Sequence, residues 1–199
     1  MRSIIISPHP DDETLGVGGT ILKRNFSKHK TAWLIVTNLE SNNKNKLLLD
    51  KKKKEIEIVK RKYKFFKTYN LNLTASRVHE VPLTTLINRF SSIFNDFKPN
   101  EVFIPHYSDA HTDHQKIYSA ISATTKTFRY PFIRKILCYE TISETGYGLK
   151  INRKKNEFSP NYYVRIDKFL KKKIEIAKIY KTEIKKHPFP RSLKSIRSL

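Results

Sequence analysis

Ser3-Ile4-Ile5-Ile6-Ser7-Pro8-His9-Pro10-Asp11-Asp12-Glu13 is the stretch on which the reading of this 199-residue chain turns. A β-branched apolar run closed by a proline has the pattern of a short buried strand. One imidazole and three carboxyl groups follow directly at its carboxyl end. Residues 14–28 then carry Leu15, Ile21, Leu22 and Phe26 at helical spacing. Gly18-Gly19 within that segment predicts close packing against a neighbour.

Beyond residue 28 the alternation of strands and helices continues. Residues 32–37 read as a second strand. Residues 46–67 place Leu48, Ile56, Val59, Tyr63 and Phe66 on one stripe with lysines opposite, the clearest amphipathic helix of the chain. A short strand is expected at 77–81. Leu86, Ile87, Phe90, Ile93, Phe94 and Phe97 mark a helix closed by Lys98-Pro99-Asn100, and residues 101–104 form a strand ending at Pro105. A helix at 115–126, a strand at 134–139, a long loop at 140–160 and a strand at 162–166 follow. Leu170, Ile174, Ala177, Tyr180 and Ile184 set a final helix. The expected fold class is α/β: a single domain over 1–199, a Rossmann-like three-layer sandwich around a mainly parallel sheet. Ligands in such a fold sit outside the strand carboxyl ends.

Composition narrows the chemistry. No stretch approaches the roughly 18 apolar residues of a membrane span, and the apolar start is too brief for a signal peptide, so the expected location is cytoplasmic. The single cysteine, Cys138, excludes an internal disulfide and a multi-thiolate zinc cluster, leaving His and carboxylate as metal ligands. A net charge of +22 is the usual footprint of a polyanion partner. Its dense runs, 51–54 and 171–173, nevertheless fall in helical segments, where charge marks a solvated face. The abundance of Lys, Asn and Ile also matches the bias of an AT-rich genome, so no specific nucleic-acid partner is expected.

Alone, Asp11, Asp12 and Glu13 are also suitable helix caps. A second cluster alters that balance. Pro105-His106-Tyr107-Ser108-Asp109-Ala110-His111-Thr112-Asp113-His114 sets three histidines and two aspartates immediately past another strand. Both clusters thus lie at strand carboxyl ends and together supply the imidazoles and carboxylate of a three-ligand metal site with an open position for water. The residues alone leave open which histidine pair binds. Two His and one carboxylate also describe a non-haem Fe(II) site.

His9-Pro10-Asp11-Asp12-Glu13 and His111-Thr112-Asp113-His114, in this order and context, resemble the paired motifs of the LmbE/PIG-L-like zinc-dependent N-deacetylases, which act on N-acetylglucosamine derivatives. Weaker likenesses run through Thr37-Asn38, Glu55, residues 140–145 and residues 161–180. The resemblance implies that His9, Asp12 and His114 ligate Zn2+ and that Asp11 is the general base. It further implies that His111 acts on the substrate as oxyanion donor or acid, held in orientation by Asp113, with Glu13 bonding local backbone amides. The implied partner is a small amino-sugar derivative, nucleotide- or lipid-linked among the options, and a homo-oligomer is compatible with it. Two departures stand out. Asn38 is followed by Leu39-Glu40-Ser41 where the family usually has a glycine. The chain also ends at Leu199, soon after His187-Pro188-Phe189-Pro190-Arg191-Ser192, where related sequences of this subtype commonly continue; it is read as truncated or naturally short. The competing readings are a basic noncatalytic binder of nucleic acid or anionic polysaccharide, and an Fe(II) enzyme using the same ligands.

Overall fold

The structure, a computed structural model, describes residues 1–38, 46–148 and 157–198. Leu39-Glu40-Ser41, the middle of the 140–160 loop and Leu199 lie outside the described residues. The chain runs β1 (Arg2–Ser7), α1 (Asp12–Phe26), β2 (Lys30–Asn38), α2 (Lys46–Tyr63), β3 (Lys67–Thr74), a 3-10 turn (Val78–Glu80) and α3 (Leu83–Phe97). Then come β4 (Glu101–Pro105), α4 (Thr112–Thr124), β5 (Lys135–Tyr139), α5 (Asp167–Ala177) and α6 (Leu193–Ser198). All strand pairs are parallel, in the order β3-β2-β1-β4-β5.

Buried on both faces, the central strands read as continuous apolar runs. Ile4 and Ile6 of β1 pack with Leu34, Val102, Leu86, Phe90 and Phe94 beneath α3 and α4. Ile5 faces the other way, among Trp33, Val17, Ile21, Val59, Tyr63 and Ile176 beneath α1, α2 and α5. These two cores make the three layers. A Cβ on Gly18 or Gly19 would collide with Tyr63 or Ile166, so the glycine pair lets α1 lie close to its neighbours. Among the described residues no helix is long and apolar enough to cross a membrane.

Four segments differ from expectation. The stripe through Phe66 predicts one helix over 46–67, but α2 stops at Tyr63, where Lys64 takes a left-handed φ of 56°. The Phe66 N–H then donates to Thr31 O at 2.8 Å, opening β3. The alternation of β3 is obscured because an edge strand keeps one polar face: only Tyr69, Leu71 and Leu73 lean on the core. Residues 77–81 form the 3-10 turn rather than a strand. Residues 162–166 have no ladder partner and are held instead by Lys23 Nζ donating to Arg165 O at 3.1 Å and by Ile166 against Gly19. The helix expected to run through Ile184 as the last of the chain ends at Ala177 as α5, which frees Tyr180 to turn into the site, and a further short helix, α6, follows it. Phe26, expected on the buried stripe of α1, is exposed. Lys173 is a further exception, because within a run read as a solvated face it is buried, its ammonium donating to Leu15 O at 2.9 Å.

Candidate metal centre

In the strand order β3-β2-β1-β4-β5 the chain moves in opposite directions from β1 and β4, and the crevice opens where their carboxyl ends diverge. The β1–α1 turn carries His9 to Asp11, with Asp12 and Glu13 opening α1, and the β4–α4 turn carries His106 to His111, with Asp113 and His114 in the first turn of α4. Fold geometry therefore brings together residues about a hundred positions apart.

His9 Nδ1, Asp12 Oδ2 and His114 Nε2 form a nearly equilateral triangle with edges of 3.5, 3.3 and 3.4 Å. Tetrahedral ligands about 2.0–2.1 Å from one zinc stand about 3.3–3.4 Å apart. The outer nitrogen of each ring is occupied. His114 Nδ1 lies 2.8 Å from Asp109 Oδ2, and His9 Nε2 lies 3.1 Å from Asp113 Oδ2, where only ring N–H groups can donate. In the neutral rings that a metal requires, both inner nitrogens would then present lone pairs beside the Asp12 carboxylate. Three electron-rich atoms converging in a nearly buried place call for a cation, and a carboxylate behind each imidazole is the usual support of a metal-binding histidine. The donor set thus fits a divalent metal.

Each supporting carboxylate is itself anchored. Asp109 accepts from Thr145 Oγ1 at 2.7 Å, and Asp113 accepts the backbone N–H groups of Ser76 and Val78 at 2.7 and 3.2 Å. The family resemblance implies that Asp113 stands behind His111. Its carboxylate instead holds His9, lying 4.0 Å from His111 Nδ1, and His111 is fixed by the Asp113 backbone N–H donating to Nδ1 at 3.1 Å. His111 is thereby the N-cap of α4. That bond leaves the ring proton on Nε2. Burial, with the nearby His9, pushes the His111 pKa down to about 4, so the imidazole is neutral at pH 7.

The helix-cap reading of the first cluster fails for Asp11. It occupies the N-cap position of α1, yet its side chain makes no capping bond. Its φ of 134° is strained for a residue with a Cβ. Asp11 N donates to Glu13 Oε2 at 3.2 Å, the local role expected of Glu13, and Tyr180 Oη donates to Glu13 Oε1 at 2.7 Å. The Asp11 carboxylate meets Arg191 Nη1 at 3.0 Å. Burial and then the Asp12 charge push the Asp11 carboxyl well above its usual range, against the pull of Arg191.

A cavity of about 220 Å³ opens beside these groups, lined in part by Thr37, Asn38, Glu55, Glu144 and Tyr180. Sequence reading singles out segments holding all five without giving them roles. It misses the contributions of Asp109, Glu183 and Arg191. Asp109 carries a signal, being inside the second cluster; Glu183 and Arg191 carry none.

For His9, burial works to lower the pKa but is outweighed by Asp113 and Asp12, giving about 9. The same opposition, led on the raising side by Asp12, brings His114 to about 10. Both rings are therefore protonated in the metal-free protein at pH 7, and a metal must displace those protons. Calorimetry in buffers of differing ionisation enthalpy should show about two protons released per metal at pH 7, with affinity falling as pH is lowered. Proton-neutral binding would contradict this ligand set.

Residues 4–125 match the family described as PIG-L: GlcNAc-PI de-N-acetylase. No curated protein matches the sequence. Among solved structures, the conserved protein TT1542 from Thermus thermophilus is similar at 21% identity and TM-score 0.75, covering 98% of this chain and 83% of that one. The N,N'-diacetylchitobiose deacetylase from Pyrococcus horikoshii is similar at 20% identity and TM-score 0.70, covering 91% and 70%. A 4-carboxy-2-hydroxymuconate hydratase from Pseudomonas putida is similar at 14% identity and TM-score 0.69, covering 100% and 84%. At these identities the likenesses show a shared fold, and the hydratase among them means that the reaction must be argued from the site.

Proposed function

The chain belongs to the PIG-L family, and from that premise we propose that it is a zinc-dependent hydrolase removing an N-acyl group, acetyl first among them, from an N-acetylglucosamine-type amino-sugar derivative. The observation that carries the proposal is the His9–Asp12–His114 triangle with Asp11 beside it as an unliganded carboxylate. A divalent metal held there supplies, when bound, a Lewis acid for the amide carbonyl and a lowered pKa for water.

The remaining steps fall to the chain's own side chains. Asp11, with its raised proton affinity, takes the proton of the attacking water and passes it to the departing amine. His111, neutral and protonated on Nε2, donates to the oxygen on which negative charge develops. Asp113 and Asp109 hold the rings of His9 and His114 in place. The products are a carboxylic acid and a free amino sugar.

The test is zinc-loaded protein incubated with a panel of N-acetylglucosamine derivatives, with released amine as the readout. Amine release with about one zinc per chain is the expected result. Oxygen consumption with iron as the metal in the isolated protein would instead establish the Fe(II) reading. Saturable polyanion binding at physiological salt, with no amine released, would favour the noncatalytic one.

A further inference from the structure

Family likeness accounts for residues 4–125, yet the group that touches the Asp11 carboxylate comes from far outside that span. Arg191 Nη1 donates to Asp11 Oδ2 at 3.0 Å and also lies 3.2 Å from Glu183 Oε2. Glu183 Oε1 in turn accepts from Lys52 Nζ at 2.6 Å, which ties this part of the chain to α2. Lys181 N donating to Glu55 Oε1 at 3.1 Å adds a second tie to the same helix. The residues after α5 are thus fixed at several points along their path to Asp11.

Resting on the reaction proposed above, we infer that Arg191 is the positioning residue of the general base, with Glu183 as its anchor. A carboxylate has two oxygens, and a base that must meet a water at one angle works best when the other oxygen is held. Arg191 engages Oδ2, and the bond fixes the carboxylate plane, leaving Oδ1 to the reacting water. The backbone beneath needs the same restraint because a φ of 134° stores strain that surrounding contacts must hold. Those contacts are Glu13 on the Asp11 N–H and Tyr180 on Glu13. Tyr180, Glu183 and Arg191 lie in one segment, which therefore grips Asp11 at both its main chain and its side chain.

The experiment measures kcat, KM and zinc content for wild type, Arg191→Ala, Arg191→Lys and Glu183→Gln, with thermal melts to confirm folding. Misplacing a reacting group by about 1 Å typically lowers turnover about a hundredfold, so Arg191→Ala is expected to lose about 10- to 100-fold in kcat. Zinc affinity by calorimetry should match wild type, and KM should stay within about twofold. Added guanidinium should restore part of the lost kcat to Arg191→Ala, whereas urea at the same concentration should not. Arg191→Lys should retain more activity than the alanine variant, and Glu183→Gln should show a smaller loss of the same kind. An active wild type whose Arg191→Ala keeps its kcat, or raises KM alone, overturns the inference while leaving the proposed reaction standing. A wild type that releases no amine from any substrate overturns the reaction itself. If Arg191→Ala fails to fold, the kcat of Arg191→Lys with and without guanidinium decides instead: a kcat equal to wild type counts against the inference.

Discussion

Asp11→Asn is expected to lower amide turnover by about 10²–10⁴-fold while the protein keeps its full complement of zinc. The two halves of that result separate base from ligand. The metal triangle uses His9, Asp12 and His114, and the Asp11 carboxylate faces Arg191 instead. Asparagine can still present an oxygen to the guanidinium, so the local architecture is retained, but its amide cannot accept a proton at neutral pH. Elemental analysis and kcat measured on one preparation make the check. Loss of zinc together with activity would make Asp11 a ligand, and full activity would remove it from the mechanism.

His114→Ala is expected to abolish both metal binding and activity and to lower stability as well. His114 is fully buried, and removing its ring deletes one corner of the triangle and leaves the buried Asp109 carboxylate, among the described residues, with Thr145 as its remaining side-chain donor. A charge left uncompensated in this way costs about 3–5 kcal/mol. Asp109→Asn is the graded companion, because it keeps the ring while weakening its support; such changes typically cost about 10- to 100-fold in metal affinity. Zinc should raise the melting temperature of wild type strongly, of Asp109→Asn weakly, and of His114→Ala not at all. An unchanged zinc-induced shift in His114→Ala would refute the ligand set.

What sequence can reveal follows from how locally each feature is encoded. Ile4-Ile5-Ile6 and Val102-Phe103-Ile104 announce doubly buried strands because every residue in them contacts a core. Each is followed at once by its polar cluster, so the crevice and its metal chemistry are legible together. β3 is not, because none of its residues is fully buried and Phe66, exposed in the structure, extends the helical stripe across the true boundary. The partnership of Asp113 is hidden for a different reason. The family resemblance implies His111, but the turn into α4 gives His111 the backbone N–H and sends the carboxylate across to His9. Arg191 is invisible: one of 40 Lys and Arg residues, it meets a partner 180 positions away, and nothing in its immediate surroundings signals that contact.

The segment after α5 that reaches Asp11 carries a consequence for how such a molecule can diverge. The three corners of the triangle and the carboxylates behind its rings all come from the first two thirds of the chain, whereas the guanidinium beside the base comes from the last tenth. Changes confined to that segment can therefore alter what holds the Asp11 carboxylate while the metal half is inherited intact. A lineage built this way can retune the side chain that acts beside the metal by rewriting one short stretch, with little risk to the metal triangle encoded at its beginning.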